Sequence, residues 1–336
     1  MKNQIKWLGL LVAAALSTSL GARAQAPEPG SMLVMPEFDN RNGVANALTI
    51  TNTSEASSIS VEFVYIDKES CEEFNRTVEM TPNDTLTVLT MFHNPDQIEG
   101  FVYMFAKNAA GEPIAFDHLI GNNLVIDGLA QFQYATNPFV FQAGSGLAEG
   151  DLTDLEAPGD GVRDMDGNEY EQAPDVIMIP RFFGQDSLFH SELILIGLTG
   201  GASFSTTVDL LIYNDNEEEF SAEATFTCWD KVSLLDISGI FSNEFLSYWT
   251  NHDQDEILGA NYIETGWMRI DGGVASSSAL SIPNPAVLAV LVEGVAHYGV
   301  ADLPFKTGTQ DNGDLLPRGI LGDQAGGGSG GGSKRE

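Results

Sequence analysis

The chain has 336 residues, with 48 Asp and Glu against 15 Lys and Arg, for a formal charge of −33. Such a field repels DNA, RNA and anionic headgroups, whose affinity for proteins comes from Lys and Arg displacing counterions, so nucleic acid is excluded as a partner. The length favours two globular domains over one, and the two cysteines allow one disulfide in an oxidising compartment.

In chain order, residues 1–24 read as a secretory signal peptide. Lys2 and Lys6 precede the apolar run Trp7 to Leu16, and Ala22-Arg23-Ala24 offers small residues at the cleavage site. The run is too short for a permanent anchor, which needs about twenty residues. The expectation is therefore a secreted or periplasmic protein with no transmembrane segment after cleavage.

Residues 32–142 carry short runs of alternating or β-branched residues bounded by Gly, Asn, Asp and Pro. The runs are Met32–Met35, Ala47–Thr51, Ile59–Ile66, Arg76–Met80, Thr85–Thr90, Phe101–Ala106, Ile114–Phe116, Leu124–Ile126 and Gln131–Tyr134. In Ile59–Ile66 the period of two puts Val61, Phe63 and Tyr65 on one face.

Residues 143–175 have another character: ten acidic residues, one Arg and almost no large apolar side chains. The composition predicts an acidic linker that buries no core. Within it Asp160, Asp164, Asp166, Asn168, Glu169 and Glu171 place oxygen donors at close spacing, with Gly167 to permit a tight turn. A hard cation such as Ca2+ needs such donors, although the EF-hand register fails, because Val162 and Ala173 fall where ligands belong. A solvated acidic loop is the competing reading.

Residues 176–308 repeat the β pattern with Val176–Ile179, Glu192–Ile196, Thr207–Tyr213, Ala222–Thr227, Val232–Asp236, Trp267–Ile270 and Ala286–Val292. Two blocks align with the first stretch without gaps. Phe74 to Leu89 matches Phe220 to Leu235 at a spacing of 146, and Gly128 to Phe139 matches Gly294 to Phe305 at 166. The second copy has thus gained 20 residues, an insertion near 237–265. Phe241, Phe245, Tyr248 and Trp249 in it suit one face of a short helix, either a cap on the sandwich or a binding loop. Residues 309–336, ending in Gly326–Ser333, read as a flexible Gly/Ser-rich tail.

Little in the chain carries chemistry. His93, His118, His190, His252 and His297 are scattered, and no zinc motif, nucleophile elbow, phosphate loop or dinucleotide fingerprint occurs, so no catalytic residue is assigned. Cys71 and Cys228 occupy non-equivalent positions in the copies, so they are either a disulfide joining the two domains or two small apolar fillers. Most aromatic residues, including Phe101, Tyr103, Phe132, Tyr134, Phe139, Trp267 and Tyr298, sit at strand spacing or recur between copies and read as core. Trp229, Tyr248 and Trp249 have no aromatic counterpart in the first copy and are the candidate exposed ligand-binding set.

The segments Leu33-Val-Met-Pro-Glu-Phe, Ala47-Leu-Thr-Ile-Thr-Asn-Thr-Ser and Met80-Thr-Pro-Asn-Asp-Thr-Leu resemble secreted bacterial proteins of uncharacterised function with tandem immunoglobulin-like repeats. That resemblance implies a fold and no catalytic residue. The expected architecture is all-β: two tandem antiparallel immunoglobulin-like β-sandwich domains from an internal duplication. The expected role is non-enzymatic binding or structure at the cell surface, in the periplasm or in the matrix, with a protein or glycan partner or self-association. A carbohydrate-binding module, or a hydrolase using Asp253, Asp255 and Glu256, are the alternatives.

Overall fold

The computed structural model describes residues 28–155, 162–248 and 263–315. The fold is all-β and multi-sheet. The first half comprises β1 (Met32–Asp39), β2 (Val44–Asn52), β3 (Ile59–Asp67), β4 (Glu73–Met80), β5 (Thr85–Leu89), β6 (Glu99–Lys107), β7 (Leu119–Asp127), β8 (Phe132–Thr136) and β9 (Phe139–Phe141). After β10 (Arg163–Met165), the second half comprises β11 (Val176–Phe183), β12 (Phe189–Gly197), β13 (Ser205–Asn214), β14 (Glu219–Phe226), β15 (Trp229–Ser233), β16 (Thr265–Ser276), β17 (Ser281–Pro283), β18 (Val287–Val295), β19 (Tyr298–Asp302) and β20 (Phe305–Thr307). β21 (Gly313–Leu315) returns to pair with β10.

Sheet 1 runs β4-β3-β6-β1-β9, and sheet 3 runs β14-β13-β16-β11-β20 with β17 added on β16. Sheet 2 is a single eight-stranded sheet, β5-β2-β7-β8-β19-β18-β12-β15, shared by both halves. Its halves meet where Tyr298 of β19 pairs in parallel with Gln133 of β8. Within each half the pairings nest: β1 with β6, β2 with β5 and β3 with β4, then β11 with β16, β12 with β15 and β13 with β14. The first two strands of each half thus lie in different sheets, whereas an immunoglobulin constant-type domain keeps them side by side. The connectivity is that of a rolled-up hairpin.

Local sequence explains the shared irregularities. Pro36 in β1 and Pro180 in β11 cannot donate to a ladder, so a proline inside a sheet is accommodated at a bulge. The register accordingly slips between Met35 and Phe38, and again between Ile179 and Phe182. Opposite each slip lies a glycine, Gly100 or Gly266. A Cβ on Gly100 would come within 1.8 Å of the Ile66 carbonyl oxygen, and one on Gly266 within 2.4 Å of that of Tyr213.

Three apolar layers hold the sheets together. Leu33, Met35, Val61, Phe63, Tyr65 and Met104 from one face of sheet 1 meet Leu48 and Ile50 of sheet 2. Ile177, Ile179, Leu210, Ile212, Met268 and Ile270 of sheet 3 meet Leu193, Leu195, Ala289 and Leu291 of sheet 2. The third layer lies between the halves. Met32, Val34, Val64, Ile66, Phe101, Tyr103 and Phe105, from the other face of sheet 1, pack on Ile194, Ile196, Leu288, Val290 and Val292 of sheet 2. Sheet 2 therefore wraps around sheet 1 and covers both its faces. This corrects the expectation of two units each hiding its own interior: β1 is buried along its whole length because it serves two cores.

Two further expectations are corrected. The acidic segment 143–175 buries Val162, Met165, Tyr170 and Ala173, and Met165, Tyr170 and Ala173 belong to the layer between the halves. Leu152 and Leu155 stay exposed, but these four turn inward, which a composition average hides. The tail reading fails for residues 310–315, where Gln310 bridges to Ala173 and β21 buries Leu315 beside β10; residues 316–336 lie outside the described residues.

Candidate functional site

The two halves meet through covalent, ionic and apolar contacts. Cys71 and Cys228 form a disulfide with Cα atoms 6.1 Å apart, and both residues are buried. Beside it, the Trp229 Nε1 donates to the Pro36 carbonyl at 2.7 Å, a carbonyl exposed by the β1 bulge. Trp229 is 2 % exposed, so it belongs to the junction and not to an exposed ligand-binding set. Its lack of an aromatic counterpart in the first half reflects this bridging role. Of the other two residues in that set, Tyr248 closes α3, and Trp249 lies outside the described residues.

The bulge also turns Glu37 inward, where it is 1 % exposed. Lys231 Nζ donates to Glu37 Oε2 at 3.0 Å and to the Tyr134 hydroxyl at 2.7 Å, while that hydroxyl donates to Glu37 Oε1. Glu192 lies 3.7 Å from the same ammonium. Burial opposes the charge on Lys231, but Glu37 and then Glu192 outweigh it and its pKa is raised. Burial, then the Glu37 charge, pushes the Tyr134 phenol well above its ordinary value. The triad draws on β1, β8 and β15 and therefore locks three strands from both halves. Removing one partner would leave a buried charge unpaired.

A cleft of about 430 Å³ opens at the same junction, between the edge strands β9 and β20. Pro138, Phe139, Val140 and Phe141 form one wall, and Leu303, Pro304 and Lys306 the other, with Ile177 and Leu288 also lining it. Beside Lys306, its polar groups are Glu28, Gln142 and Glu171. The carboxylates are engaged: Gln142 Nε2 donates to Glu28 at 3.2 Å, and the Gln142 backbone N–H to Glu171 at 3.2 Å. Among the described residues that line the cleft there is no Ser, Cys, His or Asp. Chemically it is an apolar slot with one lysine and two carboxylates, suited to holding a ligand rather than activating a nucleophile.

The structure disperses the candidate calcium ligands. Asp166 accepts from the backbone N–H and side-chain amide of Asn168, at 2.7 and 2.6 Å, closing its own turn. Glu169 faces inward and accepts from the backbone N–H groups of Leu155 and Asp164, at 2.6 and 3.2 Å. Burial pushes its carboxyl up to about 7 despite those two bonds. Glu171 serves Gln142 in the cleft, and Asp160 lies outside the described residues. Among the described residues no group of three His, Cys, Asp or Glu is placed to hold a metal ion. Alternation along β10 gives the inner face to Met165 and leaves the Asp164 side chain on the other, apart from the inward-facing Glu169.

The described part of the chain after β15 forms α2 (Leu234–Ile237), a 3-10 turn at Gly239–Phe241 and α3 (Asn243–Tyr248), so Phe241 does not share one helix with Phe245 and Tyr248. α1 (Thr90–His93) is the counterpart of α2 after β5. Phe241 and Leu246 are fully buried, and Phe241 stands edge-on to Phe182 at 5.2 Å. The described part of the insertion thus caps the second core. The hydrolase candidates Asp253, Asp255 and Glu256 lie outside the described residues. Two aromatic residues that the strand pattern assigned to core, Trp267 and Tyr298, are instead exposed. Trp267 and Tyr213 stack at 4.7 Å and 11° on the outer face of sheet 3, with Trp267 38 % exposed.

No family model and no curated protein matches the chain. A solved structure, that of Thermotoga maritima 1070, aligns at 13% identity over 37% of this chain and 98% of that one, with a TM-score of 0.28. A likeness at that score carries no argument about fold or function. Among the described residues no helix is long and apolar enough to cross a membrane.

Proposed function

We propose that this protein is an exported, non-catalytic binding or structural element, built by internal duplication of one sandwich unit. The duplication is supported by the nested pairing common to both halves, by bulges at Pro36 and Pro180, and by Gly100 and Gly266 opposite them. A disulfide across the junction suits an oxidising compartment outside the cytoplasm. One observation carries the functional reading: the junction cleft has apolar walls, two edge strands and no nucleophile–base pair among its described lining residues. Edge strands beside an apolar slot favour an extended peptide, whose main chain pairs with an edge while side chains fill the slot.

The test is a peptide-array screen on the mature protein. Binding of extended apolar peptides should fall when Leu303→Lys charges the cleft wall. Turnover of a peptide or glycan library, abolished by Asp255→Asn, would replace this reading with a hydrolase. A second reading, carbohydrate binding, is favoured by the exposed Tyr213–Trp267 stack, because flat aromatic faces pack on sugar rings. Glycan-array binding lost in Trp267→Ala would establish it.

A further inference from the structure

The two flat ends of the molecule differ in charge. On the outer face of sheet 3, Asp209, Glu219, Glu223 and Asp271 outnumber Arg269, which pairs with Asp271 at 3.1 Å, and alternate with buried or half-buried residues along β13, β14 and β16. The opposite end is the outer face of sheet 2 across β5, β2, β7 and β8, and it carries no ionisable side chain. Its outward positions on β2 are two alanines and two threonines, and on β5 two threonines and Leu89. β7 presents Asn122 and three aliphatic residues, and β8 a glutamine and an alanine.

Register aligns these residues into rows. Leu89, Ala47, Leu124 and Ala135 form one row across four strands, and Ala45, Ile126, Gln133 and Tyr298 the next. Thr49 with Thr87, and Thr51 with Thr85, hydrogen-bond across the strands at 2.9 Å, so these hydroxyls are partly satisfied without water. Ile120, Leu124 and Ile126 are 42%, 37% and 39% exposed, and Tyr298 is 74% exposed.

We propose that this face is where a second copy of the chain docks, sheet against sheet, to give a reversible two-fold dimer. Charge selects the occupant. Two chains of −33 repel one another, so contact is least opposed where both surfaces lack charge, and this end supplies such a surface. Strand spacing and rise give a plane on the order of 400 Å² before side-chain relief is counted. Relief and Tyr298 bring it toward the roughly 600 Å² per partner at the low end of specific interfaces, which matches a reversible dimer and not an obligate one. A face that is the same on both partners is self-complementary under a two-fold axis. The inference goes beyond the reading above and stands without it, since a peptide binder, a sugar binder or an enzyme would dimerise through this face equally well.

Sedimentation velocity of the mature chain across a concentration series tests it, at low and high salt. The expected result is a monomer–dimer equilibrium that tightens with salt as repulsion between the remaining charges is screened. Leu124→Glu should weaken association roughly tenfold or more, because two like charges would then meet in the interface. Thr87→Arg on the same face should act likewise, which guards against a folding defect in either variant. Thr225→Glu on the acidic end should leave association unchanged. A wild-type chain that stays monomeric at its solubility limit overturns the proposal. So does a dimer that survives both Leu124→Glu and Thr87→Arg, or one lost only in Thr225→Glu.

Discussion

Replacing both junction cysteines, as Cys71→Ala with Cys228→Ala, tests whether the halves behave as one body. The bond closes a loop between residues 157 apart in sequence. Loop-closure entropy for a loop of that length gives a stabilisation of about 5 kcal/mol at 25 °C, acting mainly on the unfolded chain. Guanidinium unfolding, followed by tryptophan fluorescence and far-UV dichroism, provides the assay. The variant should unfold at a lower midpoint but still in one coincident transition, because the apolar layer between the halves remains intact. Its m-value should rise, since an unfolded chain without the cross-link exposes more surface. Two separated transitions would refute the reasoning, showing that the halves fold independently and that the shared layer contributes little. A stability loss below about 1 kcal/mol would refute the magnitude.

Other outcomes follow from the same junction and from the second core. Lys231→Met should cost roughly 3–5 kcal/mol by leaving Glu37 buried and unpaired, and adding Glu37→Leu should recover much of it; equilibrium denaturation of the single and double variants reads both values. Trp229→Phe keeps the packing but strands the Pro36 carbonyl, with an expected loss of about 1–3 kcal/mol by the same measurement. Burial, then Asp215, raises the Glu264 carboxyl from 4.5 to about 7. Across that window the unfolded chain loses its proton first, so this group's contribution to stability falls as pH rises from about 4.5 to 7 and stays low above it. Glu264→Gln should therefore raise the melting temperature at pH 8 and leave it unchanged at pH 4, measured by calorimetry.

Strand-level features were legible where the pattern was local. Ile59–Ile66 alternates, and the structure uses both sets: Val61, Phe63 and Tyr65 enter one core, Val64 and Ile66 another. That second destination was the missing piece. A continuous apolar run such as Met32–Met35 signals burial on both faces, yet nothing in it says that the covering layer arrives some 160 residues later. Composition averages misled for residues 143–175, where Met165 and Tyr170 matter more than ten carboxylates. Trp229 was visible as an unmatched aromatic, but whether an indole faces water or a bulged carbonyl depends on long-range placement. Pro36 and Pro180 at matched places inside apolar runs were the one sequence signal that could have located the bulges, and through them Glu37. The cleft was not legible at all, because its walls are brought together only when β9 and β20 become neighbouring edges.

The wrapping of sheet 2 around sheet 1 has a consequence for biosynthesis. The chain emerges N-terminus first, so Met32, Val34, Phe101 and Tyr103 can pair into sheet 1 before residues 194–292 arrive to cover them. Until then a broad greasy plane stays wet, next to the unpaired rim of β8 that awaits β19. A nascent or truncated product ending before β11 should consequently be a substrate for holdase chaperones and prone to clumping, while the finished chain is neither.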